Sequence, residues 1–261
     1  MSTIESHSPP EQPVNDSTLS RFHQWLPTLL SVIAGMVDVT GFLSLGMFTA
    51  HVTGNIAVIG ALIVHHNRVS PADILAIPVF VFAVAATWLI AKATGRRDRR
   101  LMRLLLIIQF LLITGVLIFS VITKPSTNPD GIAATIAAMI AVSSMGCQFA
   151  LLRLTLPVAP STAVMTGNLT NAVLALMDSI PQKSDNRRLR GALHLLIGFF
   201  LGCVAAAAAE MYLGDWAWSL PVVVAAMAFV LSVNPFHLQV ECAPRAADDM
   251  SNSSPFFGEG C

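Results

Sequence analysis

Long apolar stretches restrict the fold of this sequence more than any other feature. Residues 101–121 and 191–213 are predominantly apolar, and each is roughly the 20 residues that an α-helix needs to cross about 30 Å of hydrocarbon. Hydrophobic residues make up 54% of the 261 positions and charged residues only 11%, whereas soluble domains carry about 25% charged residues. Helices of this kind have no polar face to present to water. The sequence therefore predicts an all-α, polytopic transmembrane helical bundle.

The two ends of the chain differ in composition from its centre. Residues 1–24 and 237–261 are rich in polar residues and contain prolines, and such segments cannot bury enough apolar surface to fold. The first stretch also lacks the basic start, apolar run and cleavage site of a signal peptide. We predict disordered tails at both ends and a transmembrane domain at 25–236.

Composition also narrows the functional classes. The formal net charge is zero and no basic patch lies outside the loops, so nucleic acid is not an expected partner. The four cysteines form no CxxC pair and have no zinc spacing. No nucleophile triad, metal-ligand cluster or phosphate-binding loop is visible. We therefore expect no metal site, no cofactor and no enzymatic activity.

Eight apolar segments follow one another along the chain. The second has a short apolar run, Ile56 to Val64, and the sixth is interrupted by Pro157 and Pro160. The eight segments run approximately over residues 26–47, 54–66, 73–94, 101–123, 131–151, 157–178, 190–213 and 216–235.

The two unusual segments share a tripeptide. Thr53-Gly54-Asn55 recurs as Thr166-Gly167-Asn168, 113 positions later. The same offset places the third segment on the seventh and the fourth on the eighth. A tripeptide match alone is weak, but a match that aligns the segments is much stronger. We infer an internal duplication of residues 26–123 and 131–235.

The distribution of Lys and Arg discriminates between two topologies. If all eight segments cross the membrane, seven basic residues lie inside and eight outside, which is no bias. If the second and sixth segments are re-entrant or broken helices, thirteen lie inside and only Arg68 and Lys124 outside. The second distribution is the one that the positive-inside rule expects. It predicts six spans plus two re-entrant helices, with both termini cytoplasmic. Because each half then has three spans, the repeats must be inverted.

One stretch resembles a known family. The sequence Ala34–Leu45, continued by His51–Asn55, is similar to the opening signature of the YoaK-like family, also called domain of unknown function 1275. The second half adds Gln148 and the tripeptide at 166–168, whereas Phe149 stands where an amide is expected. The resemblance implies a small polytopic protein of the bacterial cytoplasmic (inner) membrane and supplies no substrate.

Asp38 is the first candidate for a functional residue. It lies near the middle of an otherwise apolar span, between Val37 and Val39. A carboxyl group at this depth costs about 2.5–3.5 kcal/mol on insertion scales, so it usually faces a cavity, a partner or a protonation cycle. Two interpretations remain open: a protonated Asp38 bonded to a neighbouring helix, or a site for a proton or a coupling ion.

The paired tripeptides are the second candidate. Glycine permits a break in the backbone, and the Thr and Asn side chains can cap the helix that follows. The N-terminus of such a half-helix carries partial positive charge and free N–H groups, which suit an anionic or polar solute. Thr53, Gly54, Asn55, Thr166, Gly167 and Asn168 are therefore expected to line a pathway, or else simply to turn the chain and cap a helix.

Two further residues and one pattern complete the candidates. His51 precedes the first tripeptide and can titrate near neutral pH, although a hydrogen-bonded histidine at the interface is the alternative. Gln148 is expected to join helices by hydrogen bonding more than to contact a ligand. The GxxxG pattern at 198–202 permits close helix packing, either within the chain or in a homo-oligomer.

Two functional hypotheses follow. The first is a transporter or channel for an unknown small polar solute or ion, in which the two tripeptides meet near the membrane midplane with Asp38 beside them as a proton- or cation-coupling group. The second is a non-transporting scaffold or regulatory protein that acts through its cytoplasmic loops. Under both hypotheses the lipid bilayer surrounds the folded part of the chain.

Overall fold

The computed structural model describes residues 16–65, 70–94, 99–156, 162, 165–179 and 187–233. Within these ranges all regular secondary structure is helical. The α-helices are α1 (Asp16–Leu45), α2 (Val52–Val64), α3 (Pro71–Thr94), α4 (Arg99–Thr123), α5 (Ile132–Thr155), α6 (Met165–Ser179), α7 (Arg187–Leu213) and α8 (Ser219–Val233). Two short 3-10 helices, η1 (Pro125–Thr127) and η2 (Gly214–Trp218), follow α4 and α7.

The helices correspond to the eight predicted segments, with one difference at the start of the first. Helix α1 begins at Asp16, so residues 16–24 of the predicted tail are helical. Helix α6 covers Met165–Ser179 of the sixth segment. Residues 157–161, 163 and 164 lie outside the described residues, as do 1–15 and the predicted tail at 237–261.

Within the described part of the chain, five stretches are long and apolar enough to cross a membrane, and the chain is a multi-pass helical membrane protein. The fifth stretch contains both α7 and α8, which are joined by η2, where Gly214 has a φ of +51°. Helix α2 has only 13 residues, or about 20 Å. The stretches are Trp25–Leu45, Pro71–Thr94, Arg99–Thr123, Ile132–Thr155 and Leu189–Val233.

Four helices form the centre of the bundle. Helix α1 packs against α5, α5 against α4, α4 against α8, and α8 against α1, which closes a ring. Helix α3 packs on the outside of this ring against α5, and α7 packs against α1. The short helices α2 and α6 lie against α3 and α7 respectively.

Contacts between helix termini define two opposite ends of the bundle. At the first, which we call the η end, Ser126 of η1 donates a hydrogen bond from its hydroxyl to Asp215 of η2 at 2.9 Å. A side chain at Gly46, just after α1, would lie 3.7 Å from Pro129. At the opposite end, Arg103 Nε donates to the carbonyl of Ser232 at 3.0 Å. Helices α1 and α4 therefore run toward the η end, whereas α5 and α8 start there.

Small residues allow α1 and α7 to touch. A Cβ atom added at Gly202 would overlap the carbonyl oxygen of Val32, and one at Gly198 would lie 3.2 Å from the carbonyl oxygen of Thr28. Because these contacts advance together along both helices, α1 and α7 are parallel. On the α1 side, Gly35 lies equally close to Phe199. The GxxxG pattern thus serves packing within the chain, where small residues let backbones approach closely.

Candidate functional site

Asp38 lies on α1, seven residues before the helix ends at Leu45, or about 10 Å from that end. Its side chain is only 6% exposed. The depth of a carboxyl group within a predominantly apolar helix is the property that singled it out in the sequence. The hydrogen-bond donors for this carboxyl group come from the backbone segment that follows α1.

The chain folds back on α1 directly after the helix. Gly46 has a φ of +75°, a left-handed conformation that glycine adopts without strain, and residues 46–51, which we call the return loop, then run alongside the helix. Thr49 Oγ1 donates to the carbonyl oxygen of Val37 at 2.9 Å. A Cβ atom at Gly41 would lie 2.6 Å from Thr49 Cγ2, so the absence of a side chain there admits the loop.

Asp38 fastens the end of the return loop with both of its carboxylate oxygens. Oδ1 accepts hydrogen bonds from the backbone N–H groups of Thr49, Ala50 and His51, at 3.0, 2.8 and 3.2 Å. Oδ2 lies 2.6 Å from His51 Nδ1. With these four polar contacts Asp38 is the main anchor of the loop, and His51 is its side-chain partner.

Helix α7 closes the other side of this pair. The Phe199 ring meets the His51 imidazole edge to face, with the ring centres 5.4 Å apart. One turn further along α7, the backbone nitrogen of Cys203 would lie 3.1 Å from a Cβ atom added at Gly35 of α1. The His51 side chain stays 31% exposed. The site is thus an acid–imidazole pair between α1, the return loop and α7 that can hold or pass a proton.

The first tripeptide occupies the first turn of α2, and its predicted capping role is wrong. His51 holds the N-cap position, and no side chain caps the helix. Asn55 is buried, and it binds the backbone of Phe48 instead: its Oδ1 accepts from the N–H at 3.1 Å, and its Nδ2 donates to the carbonyl at 2.7 Å. Thr53 is exposed, and a Cβ at Gly54 would lie 3.3 Å from the Phe48 ring. Asn55 is therefore a second anchor of the return loop.

The second tripeptide has the same position in α6. That helix begins at Met165, so Thr166, Gly167 and Asn168 lie in its first turn, as their counterparts do in α2. Thr166 is exposed, whereas Asn168 is buried and directs its Nδ2 toward Met165 Sδ at 3.8 Å. Helices α2 and α6 pack against different neighbours and make no extensive contact with each other within the described residues. The approach of the two tripeptides near the midplane stays a prediction.

Gln148 lies away from this site, at the centre of the ring. It is fully buried; its Nε2 donates to the carbonyl oxygen of Leu30 at 2.8 Å, and its Oε1 accepts from Gln109 Nε2 at 2.6 Å. It thereby joins α5 to α1 and to α4, which is the interhelical role expected of it. Gln109 was not singled out in the sequence, although an amide within the apolar run 101–121 carries the same signal as Gln148. Phe149, the departure from the family pattern, packs against Phe80.

Comparison with known proteins identifies the family of the chain. Residues 26–231 match the family described as "Protein of unknown function (DUF1275)", and the chain belongs to this family, as its opening signature implied. A search of curated proteins and a search of solved structures found no match. The bacterial inner membrane implied by the resemblance stays a prediction.

Proposed function

We propose that this DUF1275 protein is a transporter or channel for a small polar solute in a bacterial cytoplasmic membrane, built from two inverted repeats and coupled to protons through Asp38. The observation that carries the proposal is the return loop, which Asp38 and His51 hold about 10 Å inside the end of α1. Irregular backbone at membrane depth is tolerated where it is buried in protein or lines a water-filled cavity.

The packing of the helices supports the duplication. If α1–α4 correspond to α5–α8, the contact of α1 with α7 has its counterpart in the contact of α5 with α3. The contact of α4 with α5 likewise corresponds to that of α8 with α1, and α2 on α3 corresponds to α6 on α7. The tripeptides then fall on equivalent turns of α2 and α6.

Helix directions support the inversion. Helix α1 ends at the η end, whereas its counterpart α5 starts there, and α4 and α8 are related in the same way. Counting α7 and α8 separately, each repeat contributes three spans and one short helix. Inverted repeats of this kind place substrate sites near the bilayer midplane in many secondary transporters.

Basic residues support an orientation. Among the described residues, only Lys124 lies at the η end, next to η1. Those at the opposite end are Arg21, Lys92, Arg99, Arg100, Arg103, Arg153, Arg187, Arg188 and Arg190. We call this the basic end, and the positive-inside rule makes it cytoplasmic.

Protonation of Asp38 provides the coupling step in this proposal. In the ionised state, the Asp38 carboxylate accepts hydrogen bonds from three backbone N–H groups and contacts the His51 imidazole. A neutral carboxyl group weakens these bonds, because hydrogen bonds to neutral acceptors are about half as strong. Protonation of Asp38 then loosens the end of the return loop, while Thr49 and Asn55 keep its remaining hydrogen bonds. His51 is the neighbouring group that accepts or supplies the proton.

Flux in proteoliposomes tests the function. Purified protein is reconstituted, a pH gradient is imposed, and the uptake of a panel of small polar solutes is measured together with internal pH. We expect pH-dependent uptake that Asp38→Asn abolishes while the protein stays folded. Asp73→Asn is the matched control, because it makes the same change at another buried carboxyl group, in the first turn of α3. Equal uptake by both variants, or loss of folded protein in Asp38→Asn alone, contradicts the coupling role.

Cysteine labelling tests the orientation separately. In a background without the four natural cysteines, Asn128→Cys at the η end should react with an impermeant maleimide added to intact cells. Arg153→Cys at the basic end should react only after the cells are opened. The reverse pattern would contradict the assigned orientation, whatever the flux assay shows.

A further inference from the structure

Three buried polar side chains, on α1, α4 and η2, have no use in the proposed function. Thr40, Ser120 and Trp218 are each 0% exposed, and the polar atom of each (Oγ1, Oγ and Nε1) finds no hydrogen-bond partner among the described residues. Other buried hydroxyls in this bundle bond to the carbonyl one turn earlier, as Ser44 does to Thr40 at 2.6 Å and Thr87 does to Ala83 at 2.8 Å. Any Ser or Thr hydroxyl in a helix can form this bond, yet the hydroxyls of Thr40 and Ser120 do not form it.

Contacts across the ring place the three groups at one depth. Gln148 binds both Leu30 and Gln109, so these residues of the parallel helices α1 and α4 lie level with each other. Thr40 follows Leu30 by ten residues and Ser120 follows Gln109 by eleven, which puts both about 15–17 Å closer to the η end.

Trp218 joins this layer from the end of η2, directly before α8. Helix α8 runs antiparallel to α4 between two contacts, Ser126 with Asp215 and Arg103 with Ser232. Counting back from the first contact brings Ser120 level with Trp218 within about one turn. Both η2 and α8 pack against α1 and α4. We call Thr40, Ser120 and Trp218 the polar layer.

Buried groups lie on both sides of the polar layer. Toward the η end, the Ser126–Asp215 hydrogen bond joins η1 to η2, and Pro125 of η1 is buried. Toward the centre, the apolar side chains of Val37, Ile113 and Val116 are each 0% exposed, and Ser144 of α5 adds a further buried hydroxyl. Within the described residues, no group on either side of the layer forms a hydrogen bond with the three polar atoms.

We propose that the polar layer binds ordered water, one or a few molecules that bridge Trp218 Nε1–H to the hydroxyls of Thr40 and Ser120. Buried polar groups are nearly always hydrogen-bonded, and buried water fills this role where several polar groups face one site. Water can accept from the indole and exchange donor and acceptor roles with the two hydroxyls. The ring thereby has a hydrated chamber separate from the return loop, and its existence does not depend on the proposed transport.

Tryptophan fluorescence tests the proposal. Trp25, Trp88 and Trp216 are replaced by Phe, which leaves Trp218 as the single reporter in nanodiscs. We expect an emission maximum to the red of a dry indole and a longer lifetime in D₂O than in H₂O. Thr40→Val with Ser120→Ala should shift the emission to the blue and reduce the isotope effect. Ser144→Ala is the control, because it removes another buried hydroxyl without a partner, on α5, and should change neither quantity.

A different fluorescence result would overturn the proposal of bound water. Emission at the dry limit, with no isotope effect and no response to Thr40→Val and Ser120→Ala, overturns the proposal. If the single-tryptophan protein does not fold, hydroxyl-radical footprinting of the natural chain decides. Radicals generated from bound water should oxidise Trp218 although it is fully buried, and an unmodified Trp218 overturns the proposal.

Discussion

Substitution of Gly202 by Ala tests how α1 and α7 pack. A Cβ atom at this position would overlap the carbonyl oxygen of Val32 and would lie 3.1 Å from its carbonyl carbon and 3.2 Å from the backbone nitrogen of Met36. All three atoms belong to the backbone of α1, so no rotamer change can relieve the clash. The helices must move apart to accommodate a single methyl group.

The expected cost follows from two opposing effects. Overpacking of a well-packed interface costs about 1–3 kcal/mol. Replacing Gly by Ala in the interior of a helix gains up to about 1 kcal/mol. The clash with main-chain atoms places Gly202→Ala toward the upper part of the first range. We expect a net loss of about 1–2 kcal/mol in the free energy of unfolding.

Gly191→Ala is the matched control on the same helix. A Cβ atom at Gly191 would have no other atom within 4 Å, so only the gain in helix propensity remains. Unfolding of both variants in detergent or nanodiscs, followed by size-exclusion chromatography after heating, gives the comparison. Gly202→Ala should unfold at a lower temperature than the unsubstituted protein, and Gly191→Ala at the same or a higher one.

The refuting result is a Gly202→Ala protein as stable as Gly191→Ala. It would mean that α1 and α7 are further apart than in the structure. The pairing of α1 with α7 would then be wrong, and with it one of the contacts that support the inverted repeat. A selective loss at Gly202 supports the pairing independently of any transport assay.

Three further substitutions test the loop and the ring by the same unfolding measurement. Asn55→Ala removes two hydrogen bonds to the backbone of Phe48 and should cost about 1–3 kcal/mol; an unchanged stability would deny the second anchor of the return loop. Gly46→Ala places a side chain at a φ of +75° and should cost about 1–2 kcal/mol, so a neutral effect would contradict this turn. Gln148→Leu leaves Gln109 with a buried, unpaired amide and should cost about 1–3 kcal/mol, whereas the double variant, with Leu at both positions, should cost less than the two single variants added together.

The sequence by itself determined the membrane class and the segments. Helices that cross hydrocarbon must satisfy their own backbone and need about 20 apolar residues, so their positions are visible without any tertiary information. The offset of 113 residues between the tripeptides led us to infer an internal duplication, and the tripeptides lie in the first turns of α2 and α6. Asp38 was singled out for the same reason, because a carboxyl group is costly in an apolar span.

Only the tertiary structure decided what Asp38 binds. Its partners are mainly backbone N–H groups of the return loop, and every residue type except proline carries such a group, so no side-chain pattern marks them. The capping role predicted as one alternative for Asn55 is wrong for a related reason. An amide side chain suits both a helix cap and a pair of hydrogen bonds to the Phe48 backbone, and the path of the loop decides which of them forms. The pairing of α1 with α7 likewise depends on how closely two backbones approach, which becomes known only when both helices are placed.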